Sequence, residues 1–506
     1  MLGSRLEGGG ARLAVVNLNL KMEISMNRKL FGLFTVLFLL SAGLYAQSDD
    51  DLFSGSDEDF FASIDDSVFA ENDDDLFGGS EDDLFDSNGI EVVEEVKAKT
   101  DLSKGVLFEN GSIKIGGNLS TSLSTMTTLY SEDEENFGEN LKNTKITPTL
   151  SSFLTVDARP TQYLRMYTKF GISYPTSSSV AGFNSGNSWF KLKELFTDFS
   201  IADTAFFRFG IHTVSWGTGY FFSPVSDLIN TSSINPEDAT AQVDGSLNLR
   251  TQITFPNTQN CLWFYVIPST DFTNSTTAES YIRDTALAGK FDLVLGGWEF
   301  GLGGFWKYEN APKGMITFTG SLKKLSVYGE FVYSYGAKSE WAESKDWANK
   351  TNIFQFSVGV SRMWKNPSVV LAAQYYFDGN GIDKLLDQSY TVGDRTVEFV
   401  VPSLTKGHNI ALMANFDGIL SSKDLSATFF AMANFGKDKM SDESKENFEA
   451  LGQPVSDVTM ILSAMLNYTP FSVFSVGLGP YLTWETYDNK PTVSLKISAK
   501  LGGGKF

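Results

Sequence analysis

From Ser112 to Leu501 the chain alternates strand-like segments with connections whose lengths alternate between short and long. Short connections include 159–162, 202–204 and 470–472, whereas long ones include 125–148, 175–189 and 216–246. A soluble β-sandwich has no reason to place short and long connections in strict alternation. A transmembrane barrel does, because its tight turns lie on one side of the membrane and its long loops on the other. The sequence therefore predicts an all-β, antiparallel up-and-down barrel over residues 112–506.

The individual segments have the two-residue period of a strand with one apolar and one polar face. In 163–174, one face carries Leu164, Met166, Phe170, Ile172 and Tyr174, and the other carries Tyr163, Arg165, Tyr167 and Lys169. A tilted transmembrane strand needs about 9–11 residues. We read eighteen such segments between 112–124 and 491–501, with sixteen as the fallback because glycines crowd 284–292 and 298–307. In lipid the strands must close on one another to pair every backbone group.

The start of the chain predicts export. Residues 26–46 contain a charged Met-Asn-Arg-Lys start, an apolar run from Leu30 to Leu40 and a small residue at Ala46, after which we expect cleavage of the signal peptide. Residues 1–25 read as an upstream start or extension. The only cysteine is Cys261, which excludes an intrachain disulfide and a cysteine-based zinc site. We expect no metal, no cofactor and no lipid anchor, and a location in the bacterial outer membrane with both termini in the periplasm.

The composition of residues 47–111 predicts that this segment is an acidic, disordered tether in the periplasm. Between 48 and 96 there are nineteen Asp or Glu and no Lys or Arg, and so little apolar surface that the segment is not expected to fold alone. Asp-Asp-Leu-Phe units recur in it, and the expected docking residues are Leu52, Phe53, Leu76, Phe77, Leu84 and Phe85. Repeated weak motifs gain avidity for an unknown periplasmic partner. The alternative is a solvated spacer.

The rest of the chain is only mildly acidic and has no basic face, so no nucleic-acid partner is expected. Its last strand alternates well, and Phe506 suggests recognition by the barrel assembly machinery. Phe506 has the opposite parity to Leu501, which a bulge among the glycines at 502–504 would correct. Aromatic residues near predicted strand ends suggest girdles at the lipid–water interfaces, and they include Trp216, Trp263, Trp298, Trp306 and Trp364.

The third long connection, 216–246, carries a recognisable set of motifs. Arg208-Phe209-Gly210 precedes it, and it contains Trp216-Gly217-Thr218-Gly219, Pro224-Val225-Ser226-Asp227 and Asn235-Pro236-Glu237-Asp238. This R-x-G, W-G-x-G, P-x-x-D, N-P-x-D order resembles porin-like bacterial outer-membrane barrels over about 45 residues. The resemblance implies that the third long loop folds into the barrel and narrows the pore.

The same region supplies candidate pore-lining charges. On the strands the expected lumen-facing set is Arg165, Lys169, Glu194, Asp198, Arg208, His212 and Arg250, and the loop adds Asp227, Glu237, Asp238 and Asp244. A basic wall opposite an acidic loop would create a transverse field that sorts solutes, as charged rings do in other pores. The alternative is that these charges pair across the lumen and fix the loop.

The predicted function is passive diffusion of small hydrophilic solutes through an outer-membrane channel. No catalytic residues are expected, because neither His212 nor His408 lies in a nucleophile motif. The alternative is a surface-exposed adhesin or binding barrel that uses loops such as 378–407 and 436–455. A transporter of hydrophobic molecules would need an apolar N-terminal plug, and this N-terminal segment is acidic. The sequence leaves monomer and homo-oligomer open.

Overall fold

The fold is taken from a computed structural model of the full chain. The structure describes residues 99–101, 106–130, 144, 146–174, 190–202, 204–237, 243–269, 277–337, 340–341, 344–365, 367–379, 385–392, 395–402, 407–435, 458–471, 473–485 and 490–505. The signal peptide, the six tether residues expected to dock, Asp238 and Phe506 lie outside this part of the chain.

Eighteen of the described strands form one antiparallel barrel. They are β3 (Ile113–Tyr130), β4 (Ile146–Thr161), β5 (Leu164–Tyr174), β6 (Phe190–Ile201), β7 (Ala205–His212), β8 (Ser246–Thr254), β9 (Cys261–Ile267), β10 (Ala286–Leu295), β11 (Trp298–Lys307), β12 (Lys313–Leu322), β13 (Leu325–Tyr335), β14 (Asn352–Lys365), β15 (Ser368–Asp378), β18 (Gly407–Asp417), β19 (Leu425–Phe435), β20 (Val458–Phe471), β21 (Phe474–Glu485) and β22 (Lys490–Lys505). Each strand pairs with its neighbours in the chain, and β22 pairs with β3 to close the cylinder. The predicted fold class and the count of eighteen are confirmed.

The connections divide between two rims. The short-turn rim holds the links between β4 and β5, β6 and β7, and the equivalent later pairs, several of them two residues long. The long-loop rim holds the other connections, of which 308–312 and 486–489 are short exceptions. The glycine-rich segments that motivated the fallback count form β10 and β11, paired without interruption from Ala286 and Lys307 to Leu295 and Trp298.

The outer face of the barrel is apolar and exposed, which is the surface a transmembrane barrel presents to lipid. Residues such as Leu154, Met166, Ile172, Leu302 and Ile316 lie on it. Trp298, Trp306 and Trp364 share this outward parity near strand ends, as the girdle hypothesis predicts. Trp216 and Trp263 do not. Trp216 is 4 % exposed inside the barrel, and Trp263 donates from Nε1 to Asp292 (2.7 Å) on the lumen side.

A hairpin and a helix are among the described elements outside the eighteen-strand cylinder. A hairpin, β16 (Leu385–Val392) with β17 (Arg395–Pro402), extends the connection between β15 and β18. A short helix, α1 (Ala278–Asp284), precedes β10. No helix in the described residues is long and apolar enough to cross a membrane.

The ordered chain begins before the first barrel strand. β1 (Lys99–Asp101) and β2 (Val106–Asn110) lie within the 47–111 segment predicted to be disordered, and β2 pairs with the start of β3. The acidic composition that argues against folding ends at about Val96, and Val106-Leu107-Phe108 has the apolar, β-favouring character of a strand. The structured part of the protein therefore includes residues assigned to the tether.

The last strand contains a bulge near its end, as the opposite parity of Leu501 and Phe506 predicted. Lys500 pairs with Ser122 and Gly502 pairs with Thr121, so the register shifts between them. The predicted bulge is therefore present, at the start of the glycine run, although the side of the wall taken by Phe506 remains a prediction.

Candidate functional site

The connection between β7 and β8, residues 213–245, turns into the barrel, and we call it the inner loop. Its first part packs through Val214, Trp216, Val225 and Ile229 against the lumen side of the neighbouring wall. The wall residues of this cluster are Tyr265, Ala288, Met315 and Val332, which come from β9, β10, β12 and β13. Apolar burial thus draws the loop away from the strands that carry it and along the wall.

The tip of the inner loop reaches the far side of the barrel. Phe221 and Phe222 pack against Ala372, Tyr376, Ala411 and Phe430 on β15, β18 and β19. The rings of Phe222 and Tyr376 are stacked with centroids 5.3 Å apart. The loop therefore starts at β7 and crosses the lumen to β19.

A single carboxylate, that of Glu330 on β13, holds the middle of the inner loop. Glu330 is 2 % exposed and accepts hydrogen bonds from the backbone N–H groups of Thr218 (2.5 Å), Gly219 (2.6 Å) and Val225 (2.9 Å). The hydroxyl of Ser223 donates to it as well (2.9 Å). A buried carboxylate is tolerated when several donors satisfy it in this way.

The contact with Glu330 explains the two glycines of the W-G-x-G motif. A Cβ on Gly217 would lie 2.5 Å from Glu330 Oε1 and would also collide with Ser223 Oγ, and a Cβ on Gly219 would collide with the carbonyl of Phe222. Glycine is the residue that lets the backbone approach a carboxylate this closely.

Two more wall residues fix the loop. Gln374 on β15 accepts from the N–H groups of Tyr220, Phe221 and Phe222 (2.7–3.2 Å) and donates to the Phe222 carbonyl (2.7 Å). Lys290 on β10 donates to the Trp216 carbonyl (2.8 Å) and pairs with Asp292 (3.0 Å). Sequence reasoning missed Glu330, Gln374 and Lys290. The available signal was a polar residue of lumen parity in an otherwise apolar strand, most plainly Gln374 in Val-Val-Leu-Ala-Ala-Gln-Tyr-Tyr-Phe.

The return half of the inner loop is held by other walls. The carboxylate of Asp244 accepts from Lys191 (2.5 Å) and Lys193 (3.0 Å) on β6. Burial alone would raise the pKa of Asp244, but the hydrogen bonds from the two lysines outweigh it and hold the pKa below its usual value. Glu237 accepts from the Tyr481 hydroxyl on β21 (3.1 Å). The described parts of the loop therefore contact walls on several sides of the lumen.

The predicted basic wall forms a row across adjacent strands. Arg165, Asp198, Arg208, Arg250 and Tyr265 are successive cross-strand partners from β5 to β9. With strands about 4.8 Å apart, the three arginines span roughly 14 Å of wall.

Along this row the arginines contact acids and rings of the same wall. Arg208 binds both oxygens of Asp198 (2.6 and 2.9 Å), and Arg165 binds both oxygens of Asp157 (3.0 and 3.0 Å). The Arg208 guanidinium lies 3.9 Å from the Phe196 ring centroid, and that of Arg250 lies 5.4 Å from the Trp263 ring.

The remaining predicted residues are distributed around this row. Lys169 lies directly opposite Glu194 on the next strand, and both are buried. His212 is 1 % exposed and donates from Nδ1 to the Gly210 carbonyl (3.3 Å), a structural rather than a solute contact. Gly210, the glycine of the R-x-G motif, has φ +141°, and a Cβ there would collide with the Leu195 carbonyl.

The acidic residues of the loop do not gather opposite the arginine row. Asp244 pairs with two lysines of β6, Glu237 contacts β21, and Asp227 lies on the side of Glu330 and Asp378. Burial within the barrel is the main cause that raises the pKa of Asp227, to about 7 in all; the carboxylates of Glu330 and Asp378 add to this effect, while a hydrogen bond with Ser233 opposes it. The side chain is nevertheless exposed to the lumen, so water weakens this effect.

No protein-family model matches this chain, and no curated protein sequence matches it. Several solved structures do match it. OpdL of Pseudomonas aeruginosa is 8 % identical, with 78 % of this chain and 99 % of that chain covered and a TM-score of 0.45. A BenF-like porin from Pseudomonas fluorescens Pf-5 is 7 % identical, with 77 % and 98 % covered and a TM-score of 0.46. OpdO of P. aeruginosa is 8 % identical, with 80 % and 99 % covered and a TM-score of 0.44. The assignment of this chain as a closed barrel rests on its own strand pairings.

Proposed function

We propose that this chain is an outer-membrane channel through which small hydrophilic solutes diffuse passively, with the inner loop as its constriction. The observation that carries the proposal is the path of the loop, which leaves β7, crosses to β19 and is bonded to the wall by Glu330, Gln374 and Asp244. A loop that is bonded to the wall on several sides stays in one position. It therefore narrows the pore steadily and does not move in and out of the opening.

The lumen gives such a channel a means of sorting solutes. Its polar wall accepts hydrated solutes, the loop limits their size, and the arginine row sets a positive potential along one side. Asp227, which lies on the side of Glu330 and Asp378, adds a negative charge to the lumen once its proton is lost. Size and charge together therefore decide passage.

The topology supports one orientation in the membrane. Tight turns of bacterial barrels lie in the periplasm and long loops outside, which would place the short-turn rim, the acidic segment and both termini in the periplasm after removal of residues 1–46. The partners of this form are outer-membrane lipid and the barrel assembly machinery, which would read the last strand. Monomer and homo-oligomer both remain compatible with the outward face.

Conductance of the refolded mature chain, 47–506, in a planar bilayer tests the proposal, with heat-modifiable gel migration to verify folding. Replacing residues 216–244 by a short Gly-Ser linker should raise the single-channel conductance, because the crossing loop is removed. The matched control replaces 344–349, in a loop of the same rim, and should leave conductance unchanged. A folded barrel that never conducts would reject the channel and favour a surface-binding role. Unchanged conductance after loop replacement would reject the constriction.

A further inference from the structure

The described strands of the barrel carry one charged side chain on their lipid-facing side, that of Arg362 on β14. Arg362 shares its parity with Phe354, Phe356 and Val358, which are exposed on the outer face. The acids and bases of the other described barrel strands have the opposite parity. A charged group at the edge of the hydrocarbon is costly unless it reaches water or a counter-ion. The place of Arg362 on this surface therefore requires one of the two.

The Arg362 side chain extends along the wall toward the short-turn rim. Its guanidinium carbon lies 4.5 Å from the centre of the Trp364 ring, and Trp364 is two residues nearer to that rim. β14 ends at Lys365, so the Arg362 backbone is about 10 Å from the end of the strand. A long basic side chain that bends toward the nearer interface, against an interfacial Trp, brings its charge to the level of the lipid headgroups.

No acid of the described chain neutralises Arg362. Arg362 forms no ion pair with the described residues, and its Nε is buried without a hydrogen-bond partner among them. The lumen arginines differ, because Arg165 and Arg208 each bind both oxygens of a carboxylate on the wall. A guanidinium can stack on an aromatic ring and at the same time bind two oxygens of a phosphate. The anion that balances Arg362 therefore comes from outside the described chain.

The turn beside Arg362 adds further positive charge. Lys323 and Lys324, both exposed, form the two-residue connection between β12 and β13. The register of β13 with β14 brings Arg362 to the same corner as this turn. The sequences 321–327 and 361–369 contain four Lys or Arg and no Asp or Glu. None of the other seven short connections has a net positive charge in its sequence, so this charge is local to one corner of the rim.

Exposed leucines lie next to these charges. Leu371 on β15 is the cross-strand partner of Arg362, and Leu322 ends β12 immediately before the lysine turn. Their exposed fractions are 38 % and 60 %, on the face that the barrel presents to lipid. A ligand that covers this place needs a negative group near the rim and an apolar part along the strands. An anionic phospholipid has both, whereas a free anion would leave the leucines uncovered.

We propose that this corner of the barrel binds the phosphate group of an anionic phospholipid in the leaflet on the short-turn side. Arg362 donates two N–H groups to phosphate oxygens, Lys323 and Lys324 add attraction at the membrane surface, and the acyl chains lie along Leu322 and Leu371. The inference rests on the membrane-spanning barrel proposed above. It goes beyond the proposed channel because it does not depend on an open pore.

Native mass spectrometry of the folded mature chain, 47–506, in a neutral detergent tests the site, with phosphatidylglycerol as the probe. The parent should hold one phosphatidylglycerol roughly fivefold more tightly than phosphatidylcholine, because the choline group cancels the charge of the phosphate. Arg362→Gln should weaken the phosphatidylglycerol complex roughly tenfold, since it removes a pair of charge-assisted hydrogen bonds. Lys323→Gln should weaken the complex roughly fivefold.

Arg159→Gln is the matched control. Arg159 is an exposed arginine near the same rim, eight strands away around the cylinder, and it pairs with Asp157. Its loss should change the affinity for phosphatidylglycerol less than about twofold, because salt screens a charge this distant. Equal weakening by Arg159→Gln and Arg362→Gln would show a general attraction of lipid to the rim and overturn the site. Equal affinities of the parent for the two lipids would overturn it as well.

Two further measurements separate a lost site from a damaged barrel, and a lipid from a free anion. Heat-modifiable gel migration verifies the folding of each variant, and Arg362→Lys, which keeps the charge but loses the paired hydrogen bonds, should give an intermediate affinity. A large excess of inorganic phosphate should leave phosphatidylglycerol bound, because it cannot replace the contacts of the acyl chains. Complete displacement would identify a site for free anions and overturn the proposal.

Conductance keeps this inference apart from the channel itself. A folded parent that prefers phosphatidylglycerol and never conducts would reject the channel and support the lipid site. A parent that conducts but binds the two lipids equally would support the channel and overturn the lipid site.

Discussion

Glu330 gives the sharpest test of how the constriction is held. Its carboxylate accepts four hydrogen bonds from the inner loop, three of them from backbone N–H groups that are otherwise buried against the wall. Leaving a buried donor unpaired costs about 1–3 kcal/mol. We take the low end, because lumen water can enter the space left by the side chain. Glu330→Ala should therefore disfavour the docked loop by about 3 kcal/mol, more than a hundredfold in its equilibrium.

In Glu330→Ala we expect the opening to be wider and the current through the open channel to fluctuate more. Single-channel records of Glu330→Ala should show increased open-channel noise and a raised mean conductance, and limited proteolysis should cut between residues 216 and 229. Glu330→Gln keeps the shape and one acceptor oxygen but directs an amide N–H₂ at the Val225 N–H, so its effect should be intermediate.

Glu299→Ala is the matched control, because it removes one carboxylate of lumen parity on β11, and no hydrogen bond or ion pair joins Glu299 to the described residues of the inner loop. It should alter ion preference slightly and leave noise and proteolysis unchanged. The reasoning is refuted if a folded Glu330→Ala barrel matches the parent in conductance, noise and protease resistance.

Three further predictions concern charge. Asp244→Asn should loosen the return half of the loop and raise noise at neutral pH. Since the folded-state pKa of Asp244 lies below its usual 3.8, the parent carboxylate should stabilise the loop above that value and lose this contribution only as pH falls further. The preference of the channel for cations should rise between about pH 6 and pH 8, because Asp227, with its pKa raised to about 7, loses its proton in this range. The rise should be absent in Asp227→Asn. If it persists in that variant, another group is responsible for it. Arg250→Gln should lower the preference for anions in reversal-potential measurements. Arg362 lies over Trp364 on the outer face, so Arg362→Gln should leave this preference unchanged. Equal effects of the two substitutions would contradict a role for the arginine row.

The barrel was predictable because its pattern is local. Each strand alternates between lipid and lumen, so parity alone places Arg165, Arg208 and Arg250 on the inner face, and the structure aligns them in one row. The glycine-rich pair β10 and β11 was harder. Gly301 and Gly303 are inward positions where a Cβ would collide with Thr317 and Met315 of the next strand, and this crowding is not visible in a short stretch of sequence.

The anchors of the inner loop were not predictable from the loop itself. Thr218 and Gly219 meet a carboxylate more than one hundred residues away, and Phe221 meets an amide more than one hundred and fifty residues away. Nothing in the motif W-G-x-G states which wall it will touch. The partners of the loop charges were left open for the same reason, because a count of acids and bases does not show the path of the backbone between them.

That path separates two tasks within the lumen. The loop is held mainly by backbone groups bonded to Glu330 and Gln374, and by apolar packing, on the wall of β9–β19. The arginine row lies on the wall of β5–β8, and the acids that bind Arg165 and Arg208 belong to that same wall rather than to the loop. A row consumed in holding the loop could not also attract solutes. Because the anchors lie elsewhere, we expect their removal to change the size of the opening, and removal of the arginines to change which ions pass it, with little exchange between the two effects.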